Sequence, residues 1–285
     1  MNDTLANLLD KAAERSGEGV TQPRLLSLQA ERRISTTLGL PRLEVQTTAV
    51  AMHILPKRYL RNLGTVGWEG QEQLLESTVA IVGSGGLGGW IIEGLARMGV
   101  GHLVLVDGDA FEESNLNRQA LCTEDSLGQT KVEEAVRRIG VVNGAVQVRV
   151  HQTWVNAENL PNLLAGVTVV VDALDVLPTR LILQDASQNL GIPLVHGAIA
   201  GYTGQVMTVL PGDSGLYALY GRGPVPERGI ETQVGNPSAT PMMVAAWQIQ
   251  ETVKLITGQG SPLRNRLLLI DAESGSCDFL RLGRA

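Results

Sequence analysis

The sequence predicts an α/β fold, a Rossmann-like, doubly wound and mostly parallel sheet with an antiparallel C-terminal extension. From about Thr78, short β-branched runs alternate with longer segments of helical period, which is typical of βαβ units. A glycine-rich turn follows the first of these runs and opens a helix. After Gly204 the runs GQVMTVL, RLLLID and CDFLRL are less regularly spaced, which favours antiparallel strands at the end of the sheet.

The individual elements follow from these patterns in chain order. Pro178 suits a first helical turn, and Gly258 is a typical residue after a helix end. A segment rich in Gly and Pro, 211–241, is expected to be a functional or mobile loop because of its length. Residues 1–57 are interpreted as a polar, helical leader. Strands are predicted over 77–83, 102–107, 146–150, 168–172 and 194–196, and helices over 131–143, 178–190 and 242–257.

Composition narrows the class of protein. With 285 residues, 44% of them hydrophobic, the chain is long enough for a sizeable core. A net charge of −6 argues against a nucleic-acid partner, since such proteins usually carry a basic surface. The apolar runs are far shorter than the roughly 20 residues that span a bilayer, and the N-terminus does not resemble a secretion signal. We therefore expect a cytoplasmic protein with no membrane span.

The turn GSGGLGG is a candidate phosphate-binding element. Gly83, Gly85 and Gly88 fit the GxGxxG spacing between a strand and a helix, where backbone amides and the helix dipole favour an anion. Asp107 ends the next strand, where a carboxylate can accept hydrogen bonds from ribose hydroxyls. These features fit an NAD-dependent dehydrogenase as well as an ATP enzyme. They also leave open that the glycines serve only tight packing, with no nucleotide.

A charged and polar set beyond the second strand favours ATP chemistry. Ligands of doubly wound sheets lie beyond the carboxyl ends of the strands, so this set would reach a triphosphate. Hydride transfer needs no such cations, whereas adenylate formation builds up negative charge that Arg, Lys and Mg²⁺ stabilise. Asp175, after the fourth strand, is the candidate magnesium ligand, while Asp172 is as well explained as a helix cap. The set comprises Asp109, Asn115, Arg118, Gln119 and Lys131.

Several motifs together resemble the ubiquitin-activating superfamily, and within it the MoeB/ThiF/HesA adenylyltransferases. The combination of NLNRQ with GQTK is specific to that superfamily, and the matching motifs cover nearly all of the chain from Arg58 onward. On this resemblance, residues 58–285 form the adenylation domain. The motifs are RYLRN, GSGGLGG, LVLVDGD, SNLNRQ, GQTKVE, VVDALD, IPLVHGAIAGYTGQV and QETVKLITG.

The resemblance implies ATP and Mg²⁺ as ligands and a ubiquitin-like sulfur carrier of the ThiS or MoaD kind as partner. Its C-terminal glycine carboxylate would be adenylylated for thiamin or for molybdenum or tungsten cofactor synthesis. Arg58 or Arg61 would be donated across a homodimer interface into the neighbouring site. The resemblance places Gly83, Gly85, Gly86 and Gly88 along the nucleotide, Asp107 on the ribose, Asn115, Arg118, Gln119 and Lys131 toward the phosphates, and Asp175 on Mg²⁺; Asp109 is a further expected nucleotide-binding residue.

The chain departs from the family in its cysteines and beside its metal ligand. Relatives typically bind a structural zinc through two CxxC pairs; here Leu216 and Leu219 stand at the first pair, so we expect apolar packing and no zinc site. The cysteine that many relatives carry before the late helix is also missing, near Glu231 or Thr232. Val176 replaces a common asparagine next to the expected magnesium ligand. The glycine-rich loop would then serve as a cover over the carrier's tail.

Two other functions stay open at this point. One is activation of a different carboxylate, as in superfamily members that cyclise threonylcarbamoyl-adenosine in tRNA or modify a peptide's terminal residue. The other is a nucleotide-binding scaffold that has lost catalysis, against which the joint retention of Arg118, Lys131 and Asp175 argues.

Overall fold

The computed structural model of the chain describes residues 3–15, 23–227 and 229–282. Parts of three sequence-based expectations lie outside the described residues. These parts are residues 1–2 and 16–22 of the expected leader, residue 228 of the glycine-rich loop, and residues 283–285 of the expected adenylation domain.

In residues 3–15 and 23–56 the N-terminal part forms a small unit of three helices and three short strands with its own core. Strand β2 pairs antiparallel with β1 and parallel with β3. Buried leucine, isoleucine and valine side chains, among them Leu9, Ile34 and Val45, close the space between the helices and this sheet. The elements are α1 (Asp3–Ala12), β1 (Glu14–Arg15), β2 (Arg24–Leu26), α2 (Leu28–Leu38), α3 (Arg42–Ala51) and β3 (Ile54–Pro56).

The rest of the chain surrounds one eight-stranded sheet. The expected order of strands and helices is present, and each predicted strand is found within a few residues of its place. The elements are α4 (Leu63–Glu76), β4 (Thr78–Val82), α5 (Gly88–Met98), β5 (His102–Val106), α6 (Lys131–Asn143), β6 (Gln147–His151), α7 (Leu160–Leu163), β7 (Val169–Asp172), α8 (Leu177–Asn189), β8 (Leu194–Ala200), β9 (Thr203–Val209), α9 (Tyr217–Tyr220), α10 (Glu231–Val234), α11 (Ala239–Thr257), β10 (Arg266–Asp271) and β11 (Ser276–Arg281).

The sheet topology confirms the predicted fold class. The strand order is β11-β10-β9-β8-β7-β4-β5-β6. Strands β8, β7, β4, β5 and β6 are parallel, whereas β9, β10 and β11 add antiparallel strands at one side. After β4 the chain forms β5 and β6 on one side of β4, and it then returns to form β7 on the other side of β4. The carboxyl ends of β4 and β7 therefore form the crevice in which doubly wound sheets bind ligands.

Strands β4, β5 and β7 are buried on both faces, which explains their continuous apolar runs, whereas the edge strand β6 is largely exposed. Ile81 points to the face covered by α4, α5, α6 and α11, and Val82 to the face covered by α7 and α8. Helix α11 begins three residues before the predicted 242, and the glycine-rich loop is interrupted by the short helices α9 and α10. No helix within the described ranges is long and apolar enough to cross a bilayer.

A buried polar network joins the N-terminal unit to helix α6. Glu31 accepts hydrogen bonds from Arg42 at 2.7 Å and from Gln46 at 3.0 Å. The Tyr59 hydroxyl donates to Gln46 Oε1 at 2.8 Å and accepts from Asn143 Nδ2, in the last turn of α6, at 2.9 Å. Burial raises the pKa of Tyr59 to about 12, so the phenol remains a donor at neutral pH. The N-terminal unit is thus fixed to the helix whose other end carries Lys131.

Candidate active site

The glycine turn after β4 is shaped by contacts within the chain at two of its positions. Gly83 has a φ of 98°, and a Cβ added there would lie 2.5 Å from the Ala173 carbonyl oxygen. A Cβ on Gly88 would lie 1.9 Å from the Gly83 carbonyl oxygen. Neither position accepts a side chain without moving backbone. Packing alone therefore explains these two glycines.

The other two predicted glycines have no such internal reason. A Cβ on Gly85 would come no closer than 3.6 Å to its neighbour, the Gln119 amide, and one on Gly86 no closer than 3.7 Å, to Pro241. Both distances are ordinary van der Waals contacts, so the fold does not require glycine at either place. Without side chains, their backbone would allow a ligand to approach the turn closely.

Two buried polar atoms in or beside the turn have no hydrogen-bond partner within the described residues. They are Ser84 Oγ and Gln119 Oε1. Buried polar groups are usually paired, so unpaired ones at this glycine turn fit a site that a polar ligand completes. The Ser84 hydroxyl and the backbone amides can donate to a nucleotide phosphate, whereas Gln119 Oε1 is an acceptor and would need a donor group of the ligand. Ser84 was not among the residues predicted from the sequence, although its place inside the glycine motif was a sufficient signal.

Asp107 connects the turn to the end of β5. One carboxylate oxygen accepts a hydrogen bond from the Ser84 amide at 2.6 Å, and the other accepts from the Asp109 amide at 2.8 Å. Burial raises the pKa of Asp107 above its ordinary value, although the Lys131 charge and these two amides oppose the rise. The side chain therefore fixes the relative position of the two strand ends, in addition to the ribose contact expected of it.

Lys131 and Asp109 form an ion pair at the mouth of the site. The Lys131 ammonium lies 2.8 Å from Asp109 Oδ2, and its side chain is 9% exposed against 52% for Asp109. Lys131 opens helix α6, whose N-cap is Thr130. Partial burial raises the pKa of Asp109, but the Lys131 hydrogen bond and charge outweigh burial, so the pKa lies below its ordinary value. The Lys131 ammonium is held near Asp107 and the glycine turn by a carboxylate that water reaches.

Residues 113–119 bring further predicted groups to the turn, in two different ways. Arg118 runs alongside Gly86, and its guanidinium donates to the Ser114 carbonyl at 2.9 Å. Gln119 packs against Gly85. Asn115 is buried instead, and its Oδ1 accepts from the Glu112 amide at 3.1 Å within its own segment. Arg118 and Gln119 therefore flank the turn, while Asn115 fixes the shape of the segment that carries them.

The two carboxylates after β7 have different surroundings. Asp172 is fully buried, with Oδ2 2.7 Å from His196 Nδ1 and Oδ1 accepting from the Leu174 amide at 3.0 Å. Burial lowers the pKa of His196 despite this carboxylate, which agrees with a core histidine rather than a catalytic base. Asp175 is exposed in the loop beyond the strand. Of the two, only Asp175 lies open to a metal ion.

Arg58 does not reach the site of its own chain. Its guanidinium donates to the Val142 carbonyl at 3.0 Å, near the C-terminal end of α6. Lys131 opens the same helix, so the two lie about 16 Å apart along its axis at 1.5 Å per residue. Arg61, the alternative, is exposed one turn further on. In this conformation Arg58 therefore makes no contact with the site of its own chain.

The segment around Leu216 and Leu219, where the family resemblance implies one CxxC pair, is held by apolar packing and an ion pair. Leu216 is fully buried and Leu219 packs against the same apolar cluster, as predicted. Asp213 makes a two-pronged ion pair with Arg264 at 2.8 Å and 3.0 Å, which ties this segment to the start of β10. Within the described ranges, no three His, Cys, Asp or Glu side chains are grouped closely enough to hold a metal ion.

The chain is similar in sequence to one protein family and to relatives of known name. A family model described as the ThiF family matches residues 59–285. The SAMP-activating enzyme E1 of Haloferax volcanii is 40% identical over 218 residues, which are 75% of this chain and 81% of that protein. The sulfur carrier protein adenylyltransferase of Thermus thermophilus is 37% identical over 236 residues, which are 80% of this chain and 87% of that protein.

Solved structures support the fold. Escherichia coli MccB with the peptide MccA superposes with a TM-score of 0.70 at 20% identity, covering 100% of this chain and 89% of MccB. PaaA superposes with a TM-score of 0.69 at 24% identity, covering 80% of this chain and 74% of that one. At these identities the likeness concerns architecture, including the N-terminal unit in the case of MccB.

The steric difference between the glycines gives a testable prediction. We expect Gly88→Ala to lower the free energy of unfolding by about 3 kcal/mol or more, because backbone must move to admit the methyl group. The free energy of unfolding of Gly85→Ala should lie within about 0.5 kcal/mol of the wild-type value, since the added methyl group makes only ordinary van der Waals contacts. Chemical denaturation followed by circular dichroism measures both, and equal losses in the two variants would contradict this explanation of the turn.

Proposed function

The chain belongs to the ThiF family, and on that basis we propose that it adenylylates the C-terminal carboxylate of a ubiquitin-like sulfur-carrier protein, with ATP as co-substrate. Two relatives with more than a third of residues identical support this proposal, because one is named for adenylylating a sulfur carrier and the other for activating SAMP. The routes expected from the sequence, thiamin or molybdenum or tungsten cofactor synthesis, are those in which such a carrier delivers sulfur.

The observation that carries the proposal is a glycine turn with two cations near it. The fold does not require glycine at positions 85 and 86, and Arg118 lies beside Gly86. Lys131 pairs with Asp109, whose amide is bonded to the same Asp107 carboxylate that accepts from the Ser84 amide. In adenylate formation a carboxylate oxygen attacks the α-phosphorus, a new oxygen–phosphorus bond forms, and the bond to the departing pyrophosphate breaks. Charge grows on the α-phosphate and on the pyrophosphate, where these cations would stabilise it.

The chemistry asks little else of the protein. A C-terminal carboxylate is ionised at neutral pH, so no general base is required. Lys131 would exchange its contact with Asp109 for the phosphate oxygens, and Asp109 is exposed enough to be solvated when this happens. The side chains act by position and charge, which preorganised sites supply effectively.

Asp175 would hold Mg²⁺ in this proposal. Magnesium usually binds one or two carboxylates and completes its shell with phosphate oxygens and water, which suits a single exposed aspartate next to a triphosphate. The ion would neutralise charge on the phosphates. Val176, in place of the family's common asparagine, contributes no polar ligand beside it.

The loop 211–241 would cover the carrier's extended tail. Its backbone is tied to the site at two points: Asn117 donates to the Asn236 carbonyl at 3.2 Å, and the Gly201 amide donates to the Gly235 carbonyl at 2.7 Å. Exposed apolar side chains, Ile230, Val234 and nearby Tyr202, lie along this segment. Because Glu231 and Thr232 stand where relatives carry a cysteine, we propose that the reaction ends at the acyl-adenylate, with no loop thioester.

We propose further that the enzyme works in the cytoplasm as a homodimer. Support for the dimer comes from Arg58, which lies at the far end of α6 from Lys131 and cannot serve its own site. An arginine donated by the neighbouring protomer would complete the charge stabilisation of the phosphates. The two sites of a symmetric dimer would then each contain residues from both chains.

Pyrophosphate exchange tests the proposed reaction. With Mg²⁺, ATP and a ThiS-like carrier ending in Gly-Gly, we expect the protein to incorporate labelled pyrophosphate into ATP, because adenylate formation is reversible. Arg118→Ala should lower the exchange rate by about 100-fold or more through loss of charge stabilisation. The control is the same carrier without its last glycine, which should support no exchange.

The outcomes separate the alternatives. Exchange that depends on another acyl compound and not on a carrier would indicate activation of a different carboxylate. ATP binding without exchange for any carrier or acyl compound tried would contradict adenylylation and favour a nucleotide-binding scaffold.

Mixing two inactive variants tests the shared site. Arg58→Ala and Lys131→Ala should each be inactive alone, but a mixed dimer has one site with both residues intact. After subunit exchange at equal concentrations, we expect recovery of about a quarter of the wild-type exchange rate, since half of the dimers are mixed and each has one complete site. If the exchange rate recovers when Lys131→Ala is mixed with Arg61→Ala but not with Arg58→Ala, the role belongs to Arg61. If neither mixture recovers activity, a shared site is contradicted.

A further inference from the structure

Trp154 stands at the carboxyl edge of the sheet, just beyond β6, and is 73% exposed. Its main chain is anchored, because Asn159 donates a hydrogen bond to the Trp154 carbonyl at 2.9 Å. Its indole N–H donates to Asp109 Oδ1 at 3.3 Å. The side chain is therefore held in place while most of its surface faces water.

One face of the indole is covered by Gly108. A Cβ added to Gly108 would lie 2.7–2.8 Å from three ring atoms of Trp154, Cε2, Cδ2 and Nε1. Near-equal distances to three atoms of one ring place Gly108 against the flat of the indole rather than its edge. Any side chain at residue 108 would displace the ring. Glycine at this position thus lets the tryptophan lie against the end of β5, with its other face free.

The order of the strands relates Trp154 to the nucleotide. Adjacent strands β4, β5 and β6 are followed by the glycine turn, by Asp107 and by Trp154, respectively. A nucleotide whose phosphates lie at the turn and whose ribose lies at Asp107 extends in the same direction across the sheet edge. Its base then arrives beside β6, where the free face of the indole is available.

We propose that Trp154 is the platform on which the adenine base of the nucleotide stacks. The inference rests on the proposed function, and it adds a residue that determines the affinity for the base. Aromatic side chains bind bases by stacking on their flat faces, and the indole offers a large area at little cost in side-chain freedom. The indole N–H of Trp154 also donates a hydrogen bond to Asp109, the same carboxylate that pairs with Lys131.

A role confined to structure is the competing explanation. In that case Trp154 would serve to cover Gly108 and to orient Asp109, and its loss would disturb the phosphate end of the site as much as the base end. A ligand with phosphates and no base distinguishes the two roles. Inorganic tripolyphosphate is such a probe.

Calorimetric titration of the full-length protein with Mg-ATP and with tripolyphosphate tests the inference. For Trp154→Ala we expect about tenfold weaker ATP binding, since the stacking contact with the base is lost, and unchanged tripolyphosphate binding. Trp154→Phe, which keeps an aromatic face but lacks the N–H, should bind ATP within about threefold of the wild type. Circular dichroism confirms that each variant is folded.

Three results would overturn parts of this proposal, and they are distinguishable. ATP affinity unchanged in Trp154→Ala would refute the base platform and leave the proposed function intact. Equal weakening of ATP and tripolyphosphate would assign Trp154 a structural role through Asp109. A wild-type protein that binds neither ligand would instead refute the proposed function.

Discussion

The rest of the site depends on the close approach of two backbones at the carboxyl edge of the sheet. Gly83 lies against the Ala173 carbonyl, and Gly88 against Gly83 itself, so strand β4 can turn into helix α5 directly beside the end of β7. Asp107 then fixes the amide of Ser84 to the end of β5. These contacts bring the ends of β4, β5 and β7 together at the N-terminus of helix α5, where backbone amides and the helix dipole favour an anion.

Helix α6 extends that arrangement to the N-terminal unit. Its first residue, Lys131, pairs with Asp109 beyond the end of β5, and its last, Asn143, is bonded to the buried hydroxyl of Tyr59. Glu31 and Gln46 continue the network into the N-terminal helices. Buried polar networks are costly when incomplete, so this connection fixes how the unit sits on the helix. The same helix end holds Arg58, which donates to the Val142 carbonyl at 3.0 Å.

Sequence alone predicted the parts of the molecule that local pattern determines. Residues close together in the sequence were enough to predict three features. These are the buried parallel strands, the glycine turn and the polar segment that ends in Arg118 and Gln119. The three N-terminal strands were not foreseen, because two or three residues carry no readable period. The pair of Gly108 and Trp154 was missed for another reason: its partners are separated in sequence, and only the packing of β5 against β6 brings them together. The Asp213–Arg264 pair is long-range in the same way.

Together these elements would transfer AMP from ATP to a carrier's C-terminal carboxylate. The decisive test is intact-protein mass spectrometry of a Gly-Gly carrier after incubation with ATP, Mg²⁺ and the enzyme. We expect a carrier heavier by one adenylyl group, with pyrophosphate released, and no such product with Arg118→Ala. An unmodified carrier together with release of ADP and phosphate would contradict the proposed reaction. In that case the bond between the β- and γ-phosphates would be broken, whereas adenylylation breaks the bond between the α- and β-phosphates.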